Sequence, residues 1–110
     1  MNIGKANTLA DAEALVQHPD PQQDKDAVIL EQSGDLPADI VNLYQNRNQP
    51  VPEVGTWCYV LFSSQLVADE VADELGWKRA NPKLTERRLP ILFAPVNGTK
   101  AEELLAKVDP

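Results

Sequence analysis

Apolar positions recur along this chain in two rhythms, one near 3.6 residues and one in short continuous runs, and their alternation predicts the fold. Leu9, Ala12, Leu15 and Val16 share one helical face. Thr8 is placed to cap that helix, and Asp11 stands in its first turn, where the helix end is positive. Pro19 and Pro21 end it, and residues 19–26 read as a polar linker. Ala27 to Leu30 is a short run of strand type, followed by the turn signal Gln32-Ser33-Gly34-Asp35. A second helix is expected from about Asp35 or Pro37 to Asn46, with Ile40, Val41 and Tyr44 as its buried stripe.

Thr56 to Phe62 carries the clearest strand pattern. Trp57, Tyr59 and Leu61 point to one face and Cys58, Val60 and Phe62 to the other, so both faces are apolar and both are covered. Ser63-Ser64 turns the chain into a helix over Gln65 to Leu75, where Val67, Val71 and Leu75 repeat at four-residue spacing. Gly76 suits a left-handed cap, with Trp77 folding back on the last turn. Residues 78–88 read as a polar, basic connection. Leu89 to Val96 is a third apolar run, which Pro90 and Pro95 either confine to a sheet edge or bracket at its ends. Asn97-Gly98 turns the chain, and Thr99 with Glu102 forms a capping box for a last helix from Lys100 to about Val108.

The expected architecture is a small single α/β domain over 8–110 behind a flexible segment 1–7. A helix precedes three β-α units, giving a mostly parallel sheet of three or four strands with flanking helices. The alternative is an α+β arrangement with an extra antiparallel strand near 83–88, where Leu84 and Thr85 lie. The alternation resembles thioredoxin-like and flavodoxin-like architectures in outline. With no redox cysteine pair, that likeness implies no activity.

Composition narrows the chemistry. With 43% hydrophobic and 25% charged residues, the chain of 110 is apolar enough to fold. Its one cysteine, Cys58, excludes an internal disulfide and a Cys-x-x-Cys site. Cys58 lies mid-strand and reads as a small core residue. The one histidine, His18, reads as a helix-end residue beside Pro19. No metal site and no cofactor is expected. No run approaches the roughly 20 apolar residues of a membrane span. The first ten residues lack the apolar stretch of a secretory signal, so a cytoplasmic protein is expected.

The net charge of −7 disfavours nucleic acid and anionic membranes as partners. The charge is unevenly spread. Residues 1–77 hold 13 acids and 3 bases, residues 78–88 hold 5 bases and one acid, and residues 89–110 hold 3 acids and 2 bases. The sign therefore reverses at Trp77–Lys78.

Three groups of residues are candidates. The first is the acidic helix face of Asp69, Glu70, Asp73 and Glu74, which suits a basic partner or a solvated surface. The second is the basic segment with Lys78, Arg79, Arg87 and Arg88, beside Trp77. It suits either an anionic group gripped by paired guanidiniums or internal pairing with the acidic helix. The third comprises the turns at Ser33-Gly34, Ser63-Ser64 and Asn97-Gly98-Thr99. In a parallel sheet these would share one edge and could offer helix N-termini to an anionic metabolite or nucleotide. The leading expectation is a non-catalytic protein–protein interaction or regulatory module. The alternative is a small enzyme or sensor that binds such an anion at the turns.

Overall fold

The structure, a computed structural model, describes residues 1–16, 20, 22 and 24–108. Its elements in chain order are β1 (Ile3–Ala6), α1 (Leu9–Val16), β2 (Ala27–Ser33), α2 (Ala38–Gln45), β3 (Thr56–Phe62), α3 (Gln65–Leu75), β4 (Lys78–Arg79), β5 (Ile91–Ala94) and α4 (Gly98–Lys107). A 3-10 turn spans Pro82–Leu84. The five strands form one sheet in the order β1-β2-β3-β5-β4.

The sheet is mixed and mostly antiparallel, which corrects the parallel expectation. Only β1 and β2 pair parallel, joined through α1. The pairs β2–β3, β3–β5 and β5–β4 are antiparallel. The excursion from β2 through α2 to β3 leaves and returns at the same end of the sheet, where the Gly34 N–H donates to the Gly55 carbonyl at 3.3 Å. The loop of residues 46–55 brings the chain back to its starting edge, so β3 must run the other way. The β3-α3 unit does lead to a strand parallel to β3, but that strand is the two-residue β4. β5 returns between them. The extra antiparallel strand therefore exists, at 78–79 rather than near 83–88.

Two further boundaries differ. The segment 1–7, expected to be flexible, supplies β1. There the Asn2 N–H donates to Asp26 Oδ2 at 2.7 Å, and the Asp26 N–H donates to the Asn2 carbonyl at 2.9 Å. α4 starts at Gly98, two residues before the expected start at Lys100. Asn97 Oδ1 accepts from the Lys100 N–H at 2.8 Å, and Glu102 turns instead to Lys5 at 2.9 Å. Residues 17–19, 21 and 23, which include the expected helix-end residue His18 and part of the expected linker 19–26, lie outside the described residues.

Helices cover both faces of the sheet. α1 and α2 pack on Val28, Leu30, Trp57, Tyr59, Leu61 and Phe93. α3 and α4 pack on Ile29, Val60, Phe62 and Leu92. The alternation read along 56–62 holds, with Trp57 and Cys58 on opposite faces, both buried. Pro90 and Pro95 fall just outside β5, which is how an interior strand tolerates them. No helix among the described residues is long and apolar enough to cross a membrane.

Candidate functional site

α3 positions the acidic face. The Ser64 hydroxyl accepts from the Val67 N–H at its start, and Gly76, at φ 72°, ends it by donating its N–H to the Ala72 carbonyl at 2.9 Å. Ala68, Val71 and Ala72 are buried against the sheet. That orientation leaves Glu70, Asp73 and Glu74 exposed on the outer face, together with Leu66, which is 81% exposed. Asp69 sits at the margin of the face. It accepts from Gln65 Nε2 at 2.9 Å and from Arg79 Nη2 at 3.0 Å. These two hydrogen bonds, the Gln65 one foremost, hold its carboxyl below the usual aspartate value.

The turn at Gly76 drives the chain straight into β4, the edge strand of the sheet. Trp77 folds back as expected, but it is buried among the α3 residues rather than presented to a partner. Lys78 and Arg79 alternate across the strand. Arg79 reaches α3 through Asp69, whereas Lys78 lies on the α2 face with its Nζ 5.5 Å from the Tyr44 ring centroid. A trough of about 200 Å³ wraps this edge, lined by Leu43 and Arg47 from the α2 side and by Ala72 and Asp73 from the α3 side. Beside it, a smaller cavity of about 120 Å³ on the α3 side is lined by Ala68, Ala80, Pro82 and Leu92. Arg79 borders both.

The rest of the basic segment goes elsewhere. A buried Thr85 organises it by accepting the Leu89 N–H on its hydroxyl oxygen at 2.9 Å. The Arg87 N–H donates to Glu13 Oε1 at 2.8 Å, and its Nε lies 3.6 Å from the same oxygen. That anchors Arg87 on α1. Arg88 adopts φ 53° and is exposed. Arg87 is thus bound into a separate contact on the far side of the fold from α3. Internal pairing, one of the two readings of the basic segment, describes Arg79 and Arg87, but the second of these pairs with α1.

The antiparallel sheet also divides the three turns. Ser33-Gly34 and Asn97-Gly98-Thr99 share one end, and Ser63-Ser64 lies at the other. At the α4 start the Gly98 N–H donates to the Glu31 carboxylate, so a carboxylate of the chain itself occupies that helix end. Ser64 and Asn97 each accept a hydrogen bond from their own helix.

Cys58 is fully buried and its Sγ lies 3.3 Å from the Val96 carbonyl oxygen. Burial, with a smaller contribution from the Glu31 charge, pushes its thiol up to about 12, which removes the thiolate needed for nucleophilic chemistry at neutral pH. Among the described residues no group of three or more His, Cys, Asp or Glu is placed to hold a metal ion. Sequence reasoning missed Arg47, Glu13 and Glu31. Arg47 carried one usable signal: it is one of only three bases in residues 1–77.

Comparison with family models, with curated proteins and with solved structures finds no significant match.

Proposed function

We propose that this protein is a small cytoplasmic protein–protein interaction module without catalytic activity, and that its contact surface is the α3–β4 corner. The observation that supports this reading is the juxtaposition at that corner. An exposed acidic helix face bearing a bare Leu66 abuts an open sheet edge bordered by Arg47, Lys78 and Arg79. Opposite charges set side by side discriminate between partners and steer their approach. An exposed leucine beside them offers an apolar anchor.

The test is co-purification from source lysate at low and high salt, with the parent chain beside two charge-reversed variants, Glu70→Lys with Asp73→Lys and Arg47→Glu with Lys78→Glu. A partner retained at low salt, released by salt and lost from at least one variant is the expected result. A partner held equally by all three proteins at both salt levels contradicts the proposal. The alternative, an anionic metabolite at Ser33-Gly34, Ser63-Ser64 or Asn97-Gly98-Thr99, keeps a shared end of the sheet for only the first and third of these turns. A thermal-shift panel of nucleotides and phosphorylated metabolites addresses it directly, since a ligand of the native state must raise Tm.

A further inference from the structure

The β4 edge, one of the two edges of the sheet, offers main-chain as well as side-chain groups. The ladder with β5 sets Lys78 opposite Phe93 and Arg79 opposite Leu92. The Ala80 N–H donates to the Ile91 carbonyl at 2.9 Å. Residues of an antiparallel strand alternate between bonding to the neighbour and facing away. Ala80 therefore fixes the phase: Lys78 and Ala80 bond to β5, and the Arg79 N–H and C=O face the open side. An unpaired donor and acceptor on an edge strand are a template for another strand.

The side chains around that template differ between its two faces. On the α2 face stand Lys78 and Arg47, neither in a salt bridge among the described residues. On the α3 face Arg79 is already neutralised by Asp69, and Asp73 adds a negative charge. The same face carries the small apolar cavity of Ala68, Pro82 and Leu92. A strand added to β4 would send alternate side chains to these two faces. Acidic residues fit the first face, and apolar residues fit the second, where a carboxylate would meet Asp73.

We propose, building on the interaction-module reading, that β4 accepts a sixth strand from a partner, an extended segment in which acidic and apolar residues alternate. Main-chain bonds to Arg79 supply pairing, and the two unlike faces select the pattern. A second copy of this chain does not fit through the same edge. Two β4 strands side by side would set Lys78 and Arg79 of one copy against those of the other.

The test is fluorescence anisotropy with a labelled peptide of alternating glutamate and valine. A second peptide of the same composition has the glutamates and valines in separate blocks. The alternating peptide is expected to bind at least about tenfold more tightly than the block peptide, and more weakly as salt rises. Arg79→Pro removes the outward N–H while leaving the Lys78 and Ala80 bonds to β5, so it should weaken binding about three- to tenfold more than Arg79→Ala does. Arg47→Glu with Lys78→Glu should abolish binding. Should Arg79→Pro lose its near-ultraviolet circular dichroism, protection of the Arg79 amide by the peptide in the parent protein decides the matter in its place. Equal binding of both peptides, competition by a random-sequence RNA, or self-association lost with Lys78→Glu would each overturn the strand-addition proposal. If the peptide fails while a lysate partner is still retained and is lost only with Glu70→Lys and Asp73→Lys, the module reading stands on the α3 face alone.

Discussion

Asp69 and Cys58 depart from their ordinary pKa values for different reasons, hydrogen bonding in the first and burial in the second. Asp69 draws its lowered pKa first from Gln65 and then from Arg79. A carbon-detected NMR titration should place it below the ordinary aspartate value, with Gln65→Ala restoring more of the shift than Arg79→Ala. An unshifted Asp69 would mean that the boundary between acidic helix and basic strand is not a contact in solution. The depressed value favours the folded state above the unfolded pKa, and that contribution fades as pH falls through the folded one.

Cys58 works in the opposite direction. Its folded pKa of about 12 lies above the ordinary 9.0, so the unfolded thiol ionises first and stability falls as pH climbs from about 9 towards 12. Burial raises Tyr44 and Tyr59 as well, which adds to the same alkaline loss from their ordinary value of 10.0 upwards. Urea midpoints measured across this range should decline steadily. Native Cys58 should resist a thiol reagent at pH 8 that modifies the unfolded chain at once.

At the scale of elements, the helices divide sharply between covered and bare positions. Leu105 of α4 is fully buried and Leu66 of α3 is 81% exposed. Leu105→Ala should therefore cost about 3 kcal/mol in denaturant unfolding, and Leu66→Ala less than about 0.5 kcal/mol. An equal loss at both would place Leu66 in an interface within the isolated protein.

Elements with full-length signals were legible in the sequence. β3 and α3 have the boundaries that alternation, Ser64 and Gly76 indicate. The Thr8 hydroxyl accepts from the Asp11 N–H at 3.1 Å, as the spacing suggested. β4 was not legible, because two residues carry no periodicity, and β1 was hidden by Gly4 and Lys5 in a four-residue strand. Strand direction was not legible either. A strand apolar on both faces reports that helices cover both sides, and they cover an antiparallel sheet equally well. The site was half legible. The charge reversal at Trp77–Lys78 marked the corner, but the contribution of Arg47 from the loop after α2 and the departure of Arg87 to α1 depend on strand order.

For the molecule as a whole, a net charge of −7 describes solubility better than recognition. What distinguishes the α3–β4 corner is that an acidic helix, two cations in no salt bridge among the described residues and an open strand meet there, at the last strand of the sheet. The most direct test of that geometry is amide hydrogen exchange at β4 in the free protein. The Lys78 and Ala80 amides, bonded to β5, should be protected, and the Arg79 amide between them should exchange at close to the rate of an unprotected peptide. An Arg79 amide as slow as its two neighbours would show that the edge is already closed, and would contradict the account.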